Sequence, residues 1–118
     1  MDLPTILIVD DSGDFRSLAR RLLDAGGFHV IGEAEDGASA IRAAHELSPD
    51  VVLLDVVLPD IDGFAVCAAL TGSDRSPVVI MTSSRGVSTY RRRLRECRAR
   101  GFVPKSQLTA AAITALAS

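Results

Sequence analysis

The run Val51 to Pro59, VVLLDVVLP, constrains this chain more than any other stretch. Four aliphatic residues lead without a polar break into one carboxylate, Asp55. The run is β-branched at its start, too short for a buried helix, and lacks the alternation of a half-solvated strand, so it reads as a strand buried on both faces. Strands of that kind belong to parallel sheets covered by helices on either side. The carboxylate then stands where the strand surfaces. A charge in that position is costly unless an ion or a phosphate meets it.

A second aliphatic run, Thr5 to Val9, ends the same way, in Asp10 and Asp11. Three more strands are expected at His29 to Ala34, at Val78 to Met81 (followed by Thr82, Ser83 and Ser84), and at Phe102 and Val103, which lead through Pro104 to Lys105. Between them lie segments of helical period. Phe15, Leu18, Ala19, Leu22 and Leu23 form one stripe, with Ser12 or Asp11 as its cap and Gly26 and Gly27 as its stop. Ala40, Ile41, Ala44 and Leu47 form the next, halted by Pro49. Phe64 to Leu70 predicts a short helix after the turn residues PDIDG, and Val87 to Arg100 a helix with Val87, Tyr90, Leu94 and Cys97 on one side. A last helix carries Leu108, Ala111, Ala112, Ala115 and Leu116.

The pattern is βα repeated five times over 118 residues, the length of a single domain. Right-handed crossovers make it an α/β fold with a five-stranded parallel sheet and helices on both faces. The carboxyl ends of all strands then share one edge, where such sheets bind ligands. A hydrophobic fraction of 47% with 4% aromatics gives an aliphatic core and no aromatic platform for a ligand. The net charge of −2 gives no field for nonspecific nucleic-acid binding. Cys67 and Cys97 are too few for a disulfide framework or a zinc site and read as core thiols of a reduced, cytoplasmic protein. No apolar run is long enough to cross a membrane, and Asp2 directly after Met1 argues against a signal peptide.

That edge gathers Asp10, Asp11, Asp55, Thr82 and Lys105. Carboxylates held together repel, so either one stays protonated or a divalent cation settles among them. Oxygen ligands on an open site favour Mg²⁺, which shares its shell readily with phosphoryl groups. A carboxylate there is a candidate nucleophile for phosphoryl transfer, with Lys105 as the neutralising cation and the Thr82 hydroxyl as a further donor. Lys105 is the sole lysine of the sequence, every other cation being arginine.

The motifs VDD (Val9 to Asp11), LLDVVLPDIDG (Leu53 to Gly63), MTSS (Met81 to Ser84) and GFVPKS (Gly101 to Ser106) resemble the receiver domain of two-component response regulators across essentially the whole chain, residues 1–118. The resemblance implies a flavodoxin-like sheet of order 2-1-3-4-5. It implies that Asp55 accepts a phosphoryl group from a phosphohistidine on a sensor histidine kinase or phosphotransfer protein. Asp11, Asp55 and the Val57 backbone carbonyl would ligate Mg²⁺, with Asp10 acting partly through a water. Lys105 would pair with the phosphoryl oxygens, Thr82 would rotate towards them, and Phe102 would swing inward. The surface of the fourth helix, fifth strand and fifth helix would then change for an output domain or partner, or for a homodimer formed on phosphorylation. Such a protein is a phosphoacceptor that assists its own phosphorylation and slow dephosphorylation, not a turnover enzyme. Nucleic acid would be reached only through an output domain, which these 118 residues do not contain. Some positions depart from the commonest pattern. Ser106 follows the lysine where proline is usual, and Phe102 stands where some members carry tyrosine.

Two rival classes remain open. Phosphohydrolases of the haloacid-dehalogenase type carry a second acid two residues after the nucleophile, a position held here by Val57. A protein-binding module independent of phosphorylation would use Arg91, Arg92, Arg93, Arg95, Arg98 and Arg100 against an acidic partner. His29 and His45 are expected at the surface, apart from the acidic edge.

Overall fold

The computed structural model describes residues 2–118. Five parallel strands, β1 (Thr5–Val9), β2 (His29–Ala34), β3 (Val51–Asp55), β4 (Val78–Ser83) and β5 (Gly101–Pro104), form one sheet of order β2-β1-β3-β4-β5. Five helices alternate with them: α1 (Gly13–Ala25), α2 (Gly37–Leu47), α3 (Gly63–Leu70), α4 (Val87–Glu96) and α5 (Ala110–Ala117). A 3₁₀ turn, Lys105–Gln107, joins β5 to α5. This is the doubly wound sheet that the sequence pattern predicts.

The aliphatic runs show no hydrophobic alternation because both faces of each central strand are covered. The alternation reappears as a division of the core. Leu7, Val9, Val52, Leu54, Val79 and Met81 pack with Ala40, Ala44, Phe64, Val66 and Cys67 of α2 and α3. Ile6, Ile8, Leu53, Ile80 and Val103 pack on the other face with Ala19 and Leu23 of α1 and Ile113 of α5. Burying each such side chain contributes roughly 1.5–3 kcal/mol before conformational entropy is set against it.

Several helix details differ from the sequence reading. Of the two expected caps of α1 it is Ser12 that serves, its hydroxyl accepting from the Phe15 N–H, and the differences lie elsewhere. The buried stripe of α1 narrows to Ala19 and Leu23, with Leu18 and Leu22 partly exposed. Helix α4 ends at Glu96 instead of Arg100: Cys97 turns extended, and the Arg100 N–H bonds to the Val79 carbonyl at 2.7 Å, feeding the chain into β5. No residue of α4 is fully buried, so it is the most loosely seated helix. In the last helix Ile113 is the fully buried anchor; Ala111 and Ala115 are exposed, and Leu108 is buried in the turn before the helix.

Candidate functional site

Each predicted crest residue sits at the carboxyl edge because a strand ends there. Asp10 follows β1 directly, and its N–H bonds to the Ala34 carbonyl of β2, carrying the ladder one residue past the strand. Asp55 is the last residue of β3 and lies in register with Thr82 of β4. Lys105 leaves β5 at the 3₁₀ turn. Asp10 is fully buried, Asp55 is 5% exposed, and Asp11 opens to solvent.

The lysine ammonium stands between the two buried acids, 2.6 Å from Asp10 Oδ2 and 3.1 Å from Asp55 Oδ2. It also lies 4.6 Å above the Phe15 ring, a cation–π contact made by the first turn of α1. Asp10 Oδ1 accepts from the Ser12 N–H at 2.9 Å, and Asp55 Oδ1 from the Val57 N–H at 3.1 Å. Asp10 Oδ2 is buried without a hydrogen-bond donor of good geometry and is held by the ion pair with Lys105.

The electrostatics follow from this crowding. Burial pushes the Asp55 carboxyl up, the Asp10 charge pushes the same way, and the Val57 N–H and Lys105 pull it down only in part, leaving it at about 6. Burial works against the Lys105 charge, but Asp10 and Asp55 outweigh it and hold the ammonium above the usual lysine range. One cation therefore answers two buried carboxylates, with Asp11 as a third acid beside them. Oxygens of Asp10, Asp11 and Asp55 all lie within 4.8 Å of one another. An all-oxygen set of this kind, with one buried oxygen short of donors and one ligand open to water, fits a hard divalent cation such as Mg²⁺.

Thr82 and Phe102 are near the cluster without joining it. The Thr82 hydroxyl is buried and donates to the Val103 carbonyl at 2.7 Å, away from Asp55. Phe102 is half-buried, its ring centre 6.3 Å from that of Tyr90, which in turn stands 6.0 Å from Phe64. Val57 presents its N–H to Asp55 and exposes its side chain. His29 and His45 lie on the surface, as expected.

Three supporting contacts were not legible in the sequence. Arg16 Nη1 donates to the Asp10 carbonyl at 2.6 Å. A Cβ on Gly63 would stand 2.3 Å from the Asp55 carbonyl oxygen, so only glycine lets the α3 terminus approach the strand end; the Asp-Gly pair in PDIDG is the one local hint. Asp62 caps α3 through the Phe64 N–H and forms a two-pronged ion pair with Arg93 of α4 at 2.9 and 3.0 Å. The Arg93 guanidinium also covers the Phe64 ring at 4.2 Å.

Known proteins resemble this chain in sequence and fold. A family model described as the response regulator receiver domain matches residues 6–117. The chemotaxis protein CheY of Bacillus subtilis is 38% identical over 81 residues, 69% of this chain and 68% of CheY. A protein-glutamate methylesterase/protein-glutamine glutaminase of Myxococcus xanthus is 45% identical over 82 residues. The match spans 24% of that methylesterase and 49% of a Pseudomonas aeruginosa relative, so the chain corresponds to a part of several longer proteins. Among solved structures, the signal receiver domain of NarL from Mycobacterium tuberculosis superposes with a TM-score of 0.84 at 29% identity, covering 98% of both chains. CheY in a CheX-CheY-BeF3-Mg complex from Borrelia burgdorferi superposes at 0.81 with 28% identity, over 96% of this chain and 85% of that one. With the sheet order, the acidic crest and the lysine that follows β5 all inside the matched residues, the chain belongs to the response regulator receiver domain family.

Proposed function

We propose that the 118 residues act as one receiver domain in which Asp55 is the phosphoacceptor of a phosphorelay. The observation that carries this reading is the contact of Lys105 Nζ with both Asp10 and Asp55 at the end of adjoining strands. An Asp55 carboxylate oxygen attacks the phosphorus of a phosphohistidine on a sensor kinase or phosphotransfer protein. The new O–P bond forms as the P–N bond breaks, and the departing imidazole takes up a proton. Asp11, Asp55 and the Val57 carbonyl would hold Mg²⁺, with Asp10 acting partly through a water, and the bound ion would supply charge neutralisation for the phosphoryl group. Lys105 adds a fixed positive charge that pairs with a phosphoryl oxygen. The Val57 N–H orients the Asp55 carboxylate through Oδ1. Thr82 and Phe102 are assigned to the response. The hydroxyl leaves the Val103 carbonyl for the phosphoryl group, and the ring follows.

Val57 two residues after Asp55 offers no general acid or base for rapid hydrolysis, which supports a persisting signal over a turnover enzyme. The surface of α4, β5 and α5 is assigned to the output domain or partner. Residues 85–100 hold seven arginines and one glutamate, a net +6 in a chain of total −2. Charge complementarity therefore selects an acidic partner there, and two such faces would repel in a symmetric dimer. No helix among the described residues is long and apolar enough to cross a membrane, and a cytoplasmic site of action goes with this reading.

The test is intact-mass spectrometry after incubation with acetyl phosphate, with Mg²⁺ or with chelator, on wild type and Asp55→Asn. One phosphoryl adduct that requires Mg²⁺ and is missing from the variant is expected. No adduct from acetyl phosphate or from a kinase donor would sink the phosphoacceptor role in favour of a binding module that works unphosphorylated.

A further inference from the structure

Cys67 and Cys97 are thirty positions apart in sequence, yet the fold brings them to one place. Cys67 is fully buried on α3, and Cys97 packs half-buried against the same apolar cluster at the end of α4. Thr71 lies one turn beyond Cys67, its N–H and hydroxyl both donating to the Cys67 carbonyl at 3.0 and 2.8 Å. Arg98, the neighbour of Cys97, donates to the Thr71 carbonyl at 3.3 Å and so draws the two helix ends together. A cavity of about 360 Å³ opens between them, walled by Ala68 and Thr71 on one side and by Glu96, Cys97 and Arg98 on the other. Burial pushes the Cys67 thiol up to about 11, and the Cys97 thiol adds to that shift by its charge and by a hydrogen bond.

We propose that Cys67 and Cys97 are a redox-responsive dithiol that closes to an intramolecular disulfide under a hydroperoxide, fastening the end of α4 to α3. Cys97 faces the cavity and reacts first. Its thiolate sulfur attacks a peroxide oxygen, the O–O bond breaks, and Cys97 becomes a sulfenic acid as the first water leaves. Cys67 then gives up its proton, its sulfur displaces hydroxide from the Cys97 sulfur, and the second water leaves. The two thiols lose two electrons in all, and hydrogen peroxide is reduced to two waters. Because Cys67 is held protonated, the second step is the slow one.

The location gives the bond a consequence. Helix α4 has no fully buried residue and is secured by the Arg93 ion pair and the half-buried Tyr90 and Leu94. A covalent tie at Cys97 restrains it directly. Formation of the disulfide is independent of the phosphoacceptor reading; its effect on output rests on that reading.

The experiment treats the full chain with hydrogen peroxide, alkylates it with N-ethylmaleimide, and records intact mass and a non-reducing peptide map, with Cys67→Ala and Cys97→Ser in parallel. The expected product has lost two hydrogens, takes no alkyl group, yields one linked peptide joining Cys67 to Cys97, and reverts with dithiothreitol. Cys67→Ala should stop at a dimedone-reactive sulfenic acid on Cys97, and Cys97→Ser should be oxidised at least tenfold more slowly. Backbone hydrogen exchange at the end of α4 should slow in the oxidised wild type and recover on reduction. Two alkyl groups remaining after treatment, sulfinic acid on Cys97 as the end product in wild type, or disulfides only between molecules would each overturn the proposal. If Cys67→Ala fails to fold, the wild-type peptide map and Cys97→Ser still decide it.

Discussion

Replacing Asp55 with asparagine should make the metal-free protein more stable, because the crest holds a carboxylate where charge is unwelcome. Asp55 is 5% exposed and its pKa is raised from the ordinary 3.8 to about 6, chiefly by burial and then by the Asp10 charge. The folded state thus keeps a proton that the unfolded state gives up. Stability contributed by this group is full below about pH 4, falls as pH rises through 4 to 6, and is lost above that window. A shift of about two pH units at 1.36 kcal/mol each puts the cost of ionised Asp55 near 3 kcal/mol at pH 7.5. Asparagine keeps an oxygen for the Val57 N–H and removes the charge. In chelator at pH 7.5, urea unfolding followed by circular dichroism should show Asp55→Asn ahead by about 1–3 kcal/mol, with Tm higher by several degrees. The lead should fall by about half near pH 5 and almost vanish at pH 4. Adding Mg²⁺ should stabilise wild type more than the variant, since a ligand that binds only the folded state adds RT ln(1 + [L]/Kd). A variant that is less stable in chelator at pH 7.5, or a lead that stays constant down to pH 4, would refute the reasoning.

Gly63→Ala places a Cβ 2.3 Å from the Asp55 carbonyl oxygen and 2.7 Å from Val56 backbone atoms, none of which can move cheaply, so a loss of about 2–3 kcal/mol in urea unfolding is expected together with slower labelling by acetyl phosphate. Arg93→Ala removes the Asp62 ion pair and the cover over Phe64; both partners are about half exposed, so the loss should be only about 1 kcal/mol, smaller at high salt. Burial opposes the Asp62 charge, but Arg93 and the Phe64 N–H outweigh it and hold that carboxyl below its usual range. The ion-pair share of the Arg93→Ala loss should therefore be present at neutral pH and fade as pH falls below the ordinary carboxylate range. Changing Arg91, Arg92 and Arg95 together to alanine should weaken capture of an acidic peptide at least tenfold while leaving phosphorylation by acetyl phosphate intact; unchanged capture would remove these arginines from the partner surface.

What the sequence shows plainly is what each strand does alone. VVLLD and TILIVD are short aliphatic runs ending in acid, and the parallel topology needs no further information to set Asp10, Asp11, Asp55 and Lys105 along one edge. What it conceals depends on contacts between distant segments. The alanine-rich last helix has an apolar residue at nearly every position, so periodicity could not single out Ile113 as its anchor. Arg98 and Arg100 continue a helical composition past Glu96, but the Arg100 N–H is taken by Val79, and that bond across the sheet ends the helix. The lysine's seat over Phe15, the Arg93 bridge to Asp62 and the meeting of the two cysteines each join separate helices or loops, and no local pattern encodes them.

The energetics of Thr82 show how a group added at Asp55 can be felt at α4. The Thr82 hydroxyl donates to a buried carbonyl at 2.7 Å, and withdrawing it leaves the Val103 oxygen unpaired at a cost of about 1–3 kcal/mol. A hydrogen bond to a charged phosphoryl oxygen returns about 1.5–3 kcal/mol. The two nearly cancel, so the proposed rotation would be poised, with small differences in packing deciding its direction. Phe102 precedes Val103 in β5, stands against Tyr90, and Tyr90 belongs to α4, which has no fully buried residue. Rearranging that helix gives up half-buried contacts instead of opening the core. On the proposed reading a charge at the crest would be read most cheaply at α4, and a shift of that helix would move four of the chain's thirteen basic residues at once.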